Sequence, residues 1–147
     1  MVRIETFIHA SPERCFDLAR DVDAHVASTG RTRERAVGGK TRGLLDAGDE
    51  VTWEATHFGV RQRLTARVVL CERPTRLVDV MVHGAFAGFT HTHEFEPRDG
   101  GTVMRDAFDY RAPLGVLGRI ADALFLERYM TKFLTQRANA LKRLAEG

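Results

Sequence analysis

The chain has 147 residues, of which 44% are hydrophobic and 29% charged, and its formal net charge is +2. These values are ordinary for a globular protein, and a chain of this length can bury a substantial core. A single domain over residues 1–147 is therefore expected. The densest basic stretch, RTRER, is short and contains Glu34, which argues against nucleic-acid binding.

The sequence also carries signals about the compartment. No stretch approaches the about 20 apolar residues of a membrane span, and the N-terminus MVRIETFIHA lacks the apolar core of a signal peptide. The two cysteines, Cys15 and Cys71, give no disulfide framework, so buried thiols in a reducing compartment are favoured over a disulfide. These features predict a cytoplasmic protein.

The N-terminal part predicts one strand followed by two short helices. Apolar and polar residues alternate in VRIETFIHA, which is typical of a strand. In SPERCFDLARD, Ser11 suits an N-cap, Pro12 the first helical position and Glu13 the first turn. A second short helix is expected at about residues 22–28.

From Thr32 onward the pattern is that of strands separated by turn residues. The loop GKTRGLLDAGD and the breaks at residues 72–74, 83–84 and 97–101 have the glycine, proline and aspartate content of turns. The expected strands are TRERAVGG, DEVTWEATHFGV, RQRLTARVVLCE, RLVDVMVHG, FAGFTHTHEFEP and GTVMRDAFDYR.

After Pro113 the sequence is helical in character until near its end. An apolar stripe at helical spacing comprises Leu126, Met130, Phe133, Leu134, Leu141 and Leu144. The chain therefore predicts an α+β fold in which a curved antiparallel sheet of about seven strands wraps around one long C-terminal helix. Such a sheet cannot close its whole concave face against a single helix, so a cavity is expected between them.

This order of elements and several stretches of sequence resemble the helix-grip superfamily. The superfamily includes START lipid-transfer domains, the birch-pollen allergen family and bacterial polyketide cyclase/dehydrase-like (SRPBCC) proteins, and the chain is most similar to the small single-domain bacterial members. The resemblance implies the helix-grip fold but no single reaction, because carriers, sensors and enzymes share this scaffold. The matching stretches are the opening strand with SPERCFDLARD, VTWEATHFG, HGAFAGFTHTHEFEP and GTVMRDAFDYRAPLGVLGRIAD.

A polar constellation is expected on the inner face of the sheet. Strand alternation in GFTHTHEF puts His91 and His93 on the same side as Phe89 and Phe95. In RLVDVMVHG both faces are apolar, and the face with Asp79 is slightly favoured because it extends the polar lining. The full set of expected cavity-lining residues is Trp53, His57, Asp79, Phe89, His91, His93, Asp106, Tyr110 and Arg137.

Three roles are open for this constellation. It can be a structural network in which carboxylates and imidazoles satisfy one another, or a set of side chains that contact a ligand. It can also be a metal site with His57, His91 and His93 as candidate ligands, which Asp79 could join, because His-x-His on a strand presents two imidazoles to one ion.

We expect the protein to bind a small hydrophobic or aromatic molecule, with the His/Asp cluster fixing its polar end and with no cofactor. The alternative is an enzyme of the cyclase/dehydrase type acting on a polyketide-like substrate, with His91 or His93 and Asp79 or Asp106 as a general acid–base pair. A third possibility is an interaction module with a vestigial cavity. No motif specifies the ligand or the oligomeric state.

Overall fold

The computed structural model describes residues 1–28, 33–57, 59–84, 86–111 and 119–147, with side chains in the last range from residue 124 onward. Seven strands form one antiparallel sheet in the order β1-β7-β6-β5-β4-β3-β2. The strands are β1 (Val2–Ile8), β2 (Arg35–Gly39), β3 (Glu50–His57), β4 (Val60–Glu72), β5 (Arg76–His83), β6 (Gly88–Arg98) and β7 (Gly101–Arg111). The helices are α1 (Pro12–Ala19), α2 (Val22–Ala27) and α3 (Arg119–Glu146).

This architecture confirms the predicted fold. The two short helices follow the first strand, the remaining six strands form consecutive hairpins, and the long helix ends the chain. The expected first helical turns at 114–118 lie outside the described residues. None of the three described helices is long and apolar enough to cross a membrane.

Local chemistry explains where the short helices begin. The Ser11 hydroxyl accepts a hydrogen bond from the backbone N–H of Arg14 (3.2 Å), and Pro12 occupies the first position of α1 as predicted. The carboxylate of Asp21 caps α2 by accepting from the backbone N–H of Asp23 (2.9 Å). These caps satisfy helix N–H groups that have no partner within the helix.

The C-terminal end of α3 is fastened to the N-terminal part of the chain. Arg14 donates from Nε to the carbonyl oxygen of Ala145 (2.7 Å) and from Nη2 to that of Leu144 (3.1 Å). Lys142 Nζ donates to the carbonyl oxygen of Phe7 (2.6 Å), and the Glu146 carboxylate accepts from the backbone N–H of His9 (2.8 Å). These bonds hold the helix across β1 and α1.

The side chains of α3 change in size along the helix. Near its C-terminus the buried residues are Ala138 and Ala145, which pack in a core cluster with Ile8 and Phe16. Leu144, predicted within the buried stripe, is instead 37% exposed, because the small alanines and not this leucine face the core. The small side chains let α3 approach its neighbours closely at this end.

Candidate functional site

A cavity of about 460 Å³ lies between the sheet and α3. Its apolar walls include Phe89 and Phe108 from the sheet and Leu126, Tyr129, Met130 and Phe133 from the helix. These helix residues precede the buried alanines Ala138 and Ala145 along α3. Their large side chains occupy the space between helix and sheet around the cavity. The volume falls in the range typical of small-molecule sites, about 300–1,000 Å³.

Three neighbouring strands bring four polar side chains together on one wall of the cavity. Asp79 of β5 lies directly opposite His91 of β6, and His93 of β6 lies directly opposite Asp106 of β7. Because side chains two residues apart on a strand share a face, these register pairs form one compact group. We call Asp79, His91, His93 and Asp106 the His/Asp cluster.

Asp106 is the buried centre of the His/Asp cluster. Its Oδ1 accepts a hydrogen bond from His91 Nε2 (3.2 Å) and lies 2.5 Å from His93 Nδ1, although the ring of His93 is not aligned for a hydrogen bond. On its other side, His93 Nε2 is 3.9 Å from Asp79 Oδ1. The two imidazole rings lie with their centroids 4.0 Å apart and their planes tilted by 34°. The cluster therefore arranges two rings between two carboxylates.

The cluster shifts the pKa values of its members in opposite directions. Burial alone would raise the pKa of Asp106, but the charge of His93 and the hydrogen bond from His91 hold that pKa well below its usual range. Burial and the neighbouring His93 lower the pKa of His91. Burial also opposes charge on His93, but the Asp106 carboxylate outweighs it and the pKa of His93 is raised.

A second polar group stands at another wall of the cavity. His25 of α2 stacks on the indole of Trp53 with ring centroids 3.9 Å apart, and its Nε2 donates to the Glu34 carboxylate (2.9 Å). Arg137 of α3 contacts His25 Nδ1 and lies over the ring of Phe133. Burial and the Arg137 charge lower the pKa of His25. This group connects α2, β3, α3 and Glu34, the residue that precedes β2, around the cavity.

The remaining expected site residues lie in two places. His57 lines the cavity and shares a 2.5 Å hydrogen bond between its Nδ1 and the Tyr129 hydroxyl, so it belongs to the α3 side and not to the His/Asp cluster. Burial lowers the pKa of His57. Tyr110 packs against Phe86 and Phe108, and it is not among the described residues that line the cavity.

Comparison with known proteins places the chain in a family. The family model for polyketide cyclase/dehydrase and lipid transport matches residues 1–146. The chain belongs to this family. No curated protein sequence matches the chain significantly.

Several solved structures are similar to the chain in fold. The chain is similar to TTHA0849 from Thermus thermophilus (21% identity, TM-score 0.80, covering 97% of this chain and 94% of that one). It is similar to a START superfamily protein from Mycobacterium smegmatis (15%, TM-score 0.77, 99% and 96%). It is also similar to Ara h 8.0201 (11%, TM-score 0.66, 98% and 95%). These identities are low, so the likeness concerns the fold alone.

Within this family fold, the structure brings most of the expected site residues to one cavity. Trp53, His57, Asp79, Phe89, His91, His93 and Arg137 line it, and Asp106 lies against the two histidine rings. Sequence reasoning missed His25 and Glu34. His25 lies three residues after the buried Val22 and so shares its helix face, and Glu34 shares the strand parity of Ala36.

Proposed function

We propose that the protein binds a small hydrophobic or aromatic molecule in the cavity between the sheet and α3. The observation that carries the proposal is a cavity of ligand size with largely apolar and aromatic walls and a polar cluster on one side. Apolar walls supply affinity, and a few fixed polar groups orient a ligand. The family description, which includes lipid transport, is consistent with such a ligand.

The polar end of the ligand is proposed to face the His/Asp cluster. His91 is buried and hydrogen-bonded to Asp106, so its orientation is fixed before a ligand arrives. Pre-organised partners lower the entropic cost of binding. The aromatic rings of Phe89 and Phe133 then contact the apolar body of the ligand from opposite walls.

The test uses the purified protein in native mass spectrometry, before and after addition of 2-naphthol and of medium-chain fatty acids. We expect one ligand per chain, either retained from the expression host or taken up. Ala66→Phe, which places a ring in the cavity, should abolish uptake. The matched control is Val69→Phe on the same strand, because Val69 is 48% exposed and outside the cavity lining. Equal ligand occupancy in the two variants, or a wild type that neither retains nor takes up a ligand, would contradict the proposal.

A second candidate is an enzyme of the cyclase/dehydrase type that acts on a polyketide-like substrate. The observation that favours it is the contact of His93 with Asp106 at the cavity wall, an arrangement suited to moving a proton in a closed site. Incubation with a poly-β-ketone thioester analogue, followed by product analysis, tests it. Turnover that Asp106→Asn removes supports the enzyme, and binding without turnover contradicts it.

A cytoplasmic location is proposed on the basis of the cysteines. Cys15 is buried, and both Cys15 and Cys71 are free thiols. Free thiols persist in reducing compartments, where disulfides are rare. Burial raises the pKa of both thiols, which keeps them protonated and unreactive.

A further inference from the structure

Two imidazoles and one carboxylate of the His/Asp cluster face one another closely enough to share an ion. One potential ligand atom from each of Asp79, His91 and His93 lies within 4.8 Å of the other two. Bonds of about 2.0–2.1 Å to a tetrahedral zinc ion place ligand atoms about 3.3 Å apart. The three groups therefore form an open triangle that small side-chain rotations would close.

The Asp79 carboxylate has an unusual environment for a group in an apolar cavity. Within the part of the chain that the structure describes, no donor forms a hydrogen bond with it, and its one ion-pair contact is His93 Nε2 at 3.9 Å. Its side chain is only 24% exposed. The Asp79 oxygens are accessible, and Asp79 lines the cavity. The carboxylate is therefore available to a cation or donor that enters the cavity.

The charge of the cluster matches a divalent cation. Asp79 and Asp106 carry two negative charges when ionised, and imidazoles add none once they ligate a metal, because the ligating form is neutral. No lysine or arginine forms an ion pair with either aspartate among the described residues. An ion of charge +2 would neutralise the cluster, and the donor set of two nitrogens and one oxygen suits first-row transition ions.

Asp106 stands where a metal site needs a supporting carboxylate. His93 Nδ1 lies 2.5 Å from Asp106 Oδ1, and Nε2 lies on the side of Asp79. A rotation of the ring would let Nδ1 donate to Asp106 while Nε2 faces the candidate ligand group. Histidine ligands of metals commonly donate their second nitrogen to a carboxylate, which fixes the tautomer and the ring orientation. His91 is held by the same Asp106 oxygen.

We propose that Asp79, His91 and His93 form a binding site for a divalent transition-metal ion, with Asp106 as the supporting carboxylate. Three protein ligands leave at least one coordination position open, and the cavity lies on that side. Metal binding by these three side chains does not require the organic ligand of the proposed function. A ligand oxygen could occupy the open position, so the metal would lie at the polar end of the cavity.

The experiment is a calorimetric titration of the metal-stripped protein with Zn²⁺ alone, followed by Co²⁺ with visible absorption as the readout of coordination. The wild type should bind one ion per chain. Asp79→Asn and His93→Asn should each weaken the affinity at least 100-fold. Asp106→Asn should weaken it by about 10–100-fold, as expected for a supporting partner.

Two control variants keep the outcome specific. His57→Asn changes a histidine of the same cavity that bonds Tyr129, and His83→Asn changes an exposed histidine at the end of β5. Both should retain wild-type affinity. If His93→Asn fails to fold, Asp79→Asn decides, because Asp79 makes no hydrogen bond to another described residue. No saturable binding by the wild type, or undiminished binding by Asp79→Asn, would overturn the proposal.

Discussion

At the scale of single residues, His25 shows how a contact fixes a protonation state. Arg137 can only donate, so His25 Nδ1 must accept and the proton must reside on Nε2, from which it is donated to Glu34. A protonated imidazole would direct an N–H at the guanidinium. The neutral Nε2–H tautomer is therefore the form that fits this wall of the cavity.

This assignment predicts a pKa for His25 below its ordinary value of 6.5, because burial and the Arg137 charge both disfavour the cation. The contribution of His25 to stability should be present above pH 6.5 and lost as the pH falls below it, since the unfolded chain then binds the extra proton. Imidazole ¹⁵N chemical shifts across a pH titration measure the pKa and the tautomer of His25. A charged His25 at pH 6.5, or the Nδ1–H tautomer, would contradict the assignment.

A second prediction at this scale concerns Glu54, which lies on the face of the sheet opposite the cavity. Its carboxylate accepts from Arg35 (2.9 Å), Arg61 (3.1 Å) and Arg63 (3.2 Å), and these hydrogen bonds lower its pKa from 4.5 to about 2. Its contribution to stability is therefore present above pH 4.5 and lost as the pH falls toward 2.

We expect Glu54→Gln to lower the urea midpoint at pH 7, because three guanidiniums lose their shared carboxylate. The difference in urea midpoint between wild type and Glu54→Gln should narrow steadily as the pH falls below 4.5. Urea denaturation at a series of pH values measures this difference. Thr52→Val is the control, because Thr52 lies on the same face of β3 and its hydroxyl bonds Thr65 and not one of the three arginines. A difference between wild type and Glu54→Gln that does not depend on pH would refute the prediction.

At the scale of elements, α3 is positioned by its last turn. Arg14 bonds two carbonyl oxygens there that have no partner within the helix. Arg14→Ala should lower the free energy of unfolding by about 1–2 kcal/mol, the range for partly exposed hydrogen bonds to a charged donor. Denaturant unfolding measures the loss. Arg128→Ala, exposed on the same helix, should change stability by less than about 0.5 kcal/mol, and equal losses would contradict this account.

The elements themselves could be predicted because their signals are local. Ser11 and Pro12 mark the start of α1, and alternation in GFTHTHEF places His91 and His93 on one face. The inward face of β5 could not be decided by alternation, since Leu77 and Val78 are both buried. Asp79 was therefore placed by an argument about the site and not by the hydrophobic pattern.

At the scale of the whole molecule, the cavity depends on contacts between distant parts of the chain. The contact of Arg137 with His25 joins residues 112 positions apart, and no local period encodes it. The size of the cavity follows from alanines at one end of α3 and aromatic residues at the other. These residues are visible in the sequence, but helical spacing alone wrongly placed Leu144 in the core of α3. No pattern in the short helix α2 indicated that His25 would reach the cavity.

The single tryptophan of the chain offers the most direct test of the binding cavity. Trp53 lines the cavity and stacks on His25, so a molecule that enters changes the surroundings of the only indole in the protein. Titration with 2-naphthoic acid, read from Trp53 emission, should give a saturable change at one ligand per chain that is absent in Ala66→Phe. Emission that stays constant in the wild type, or that changes equally in Ala66→Phe, would contradict the account.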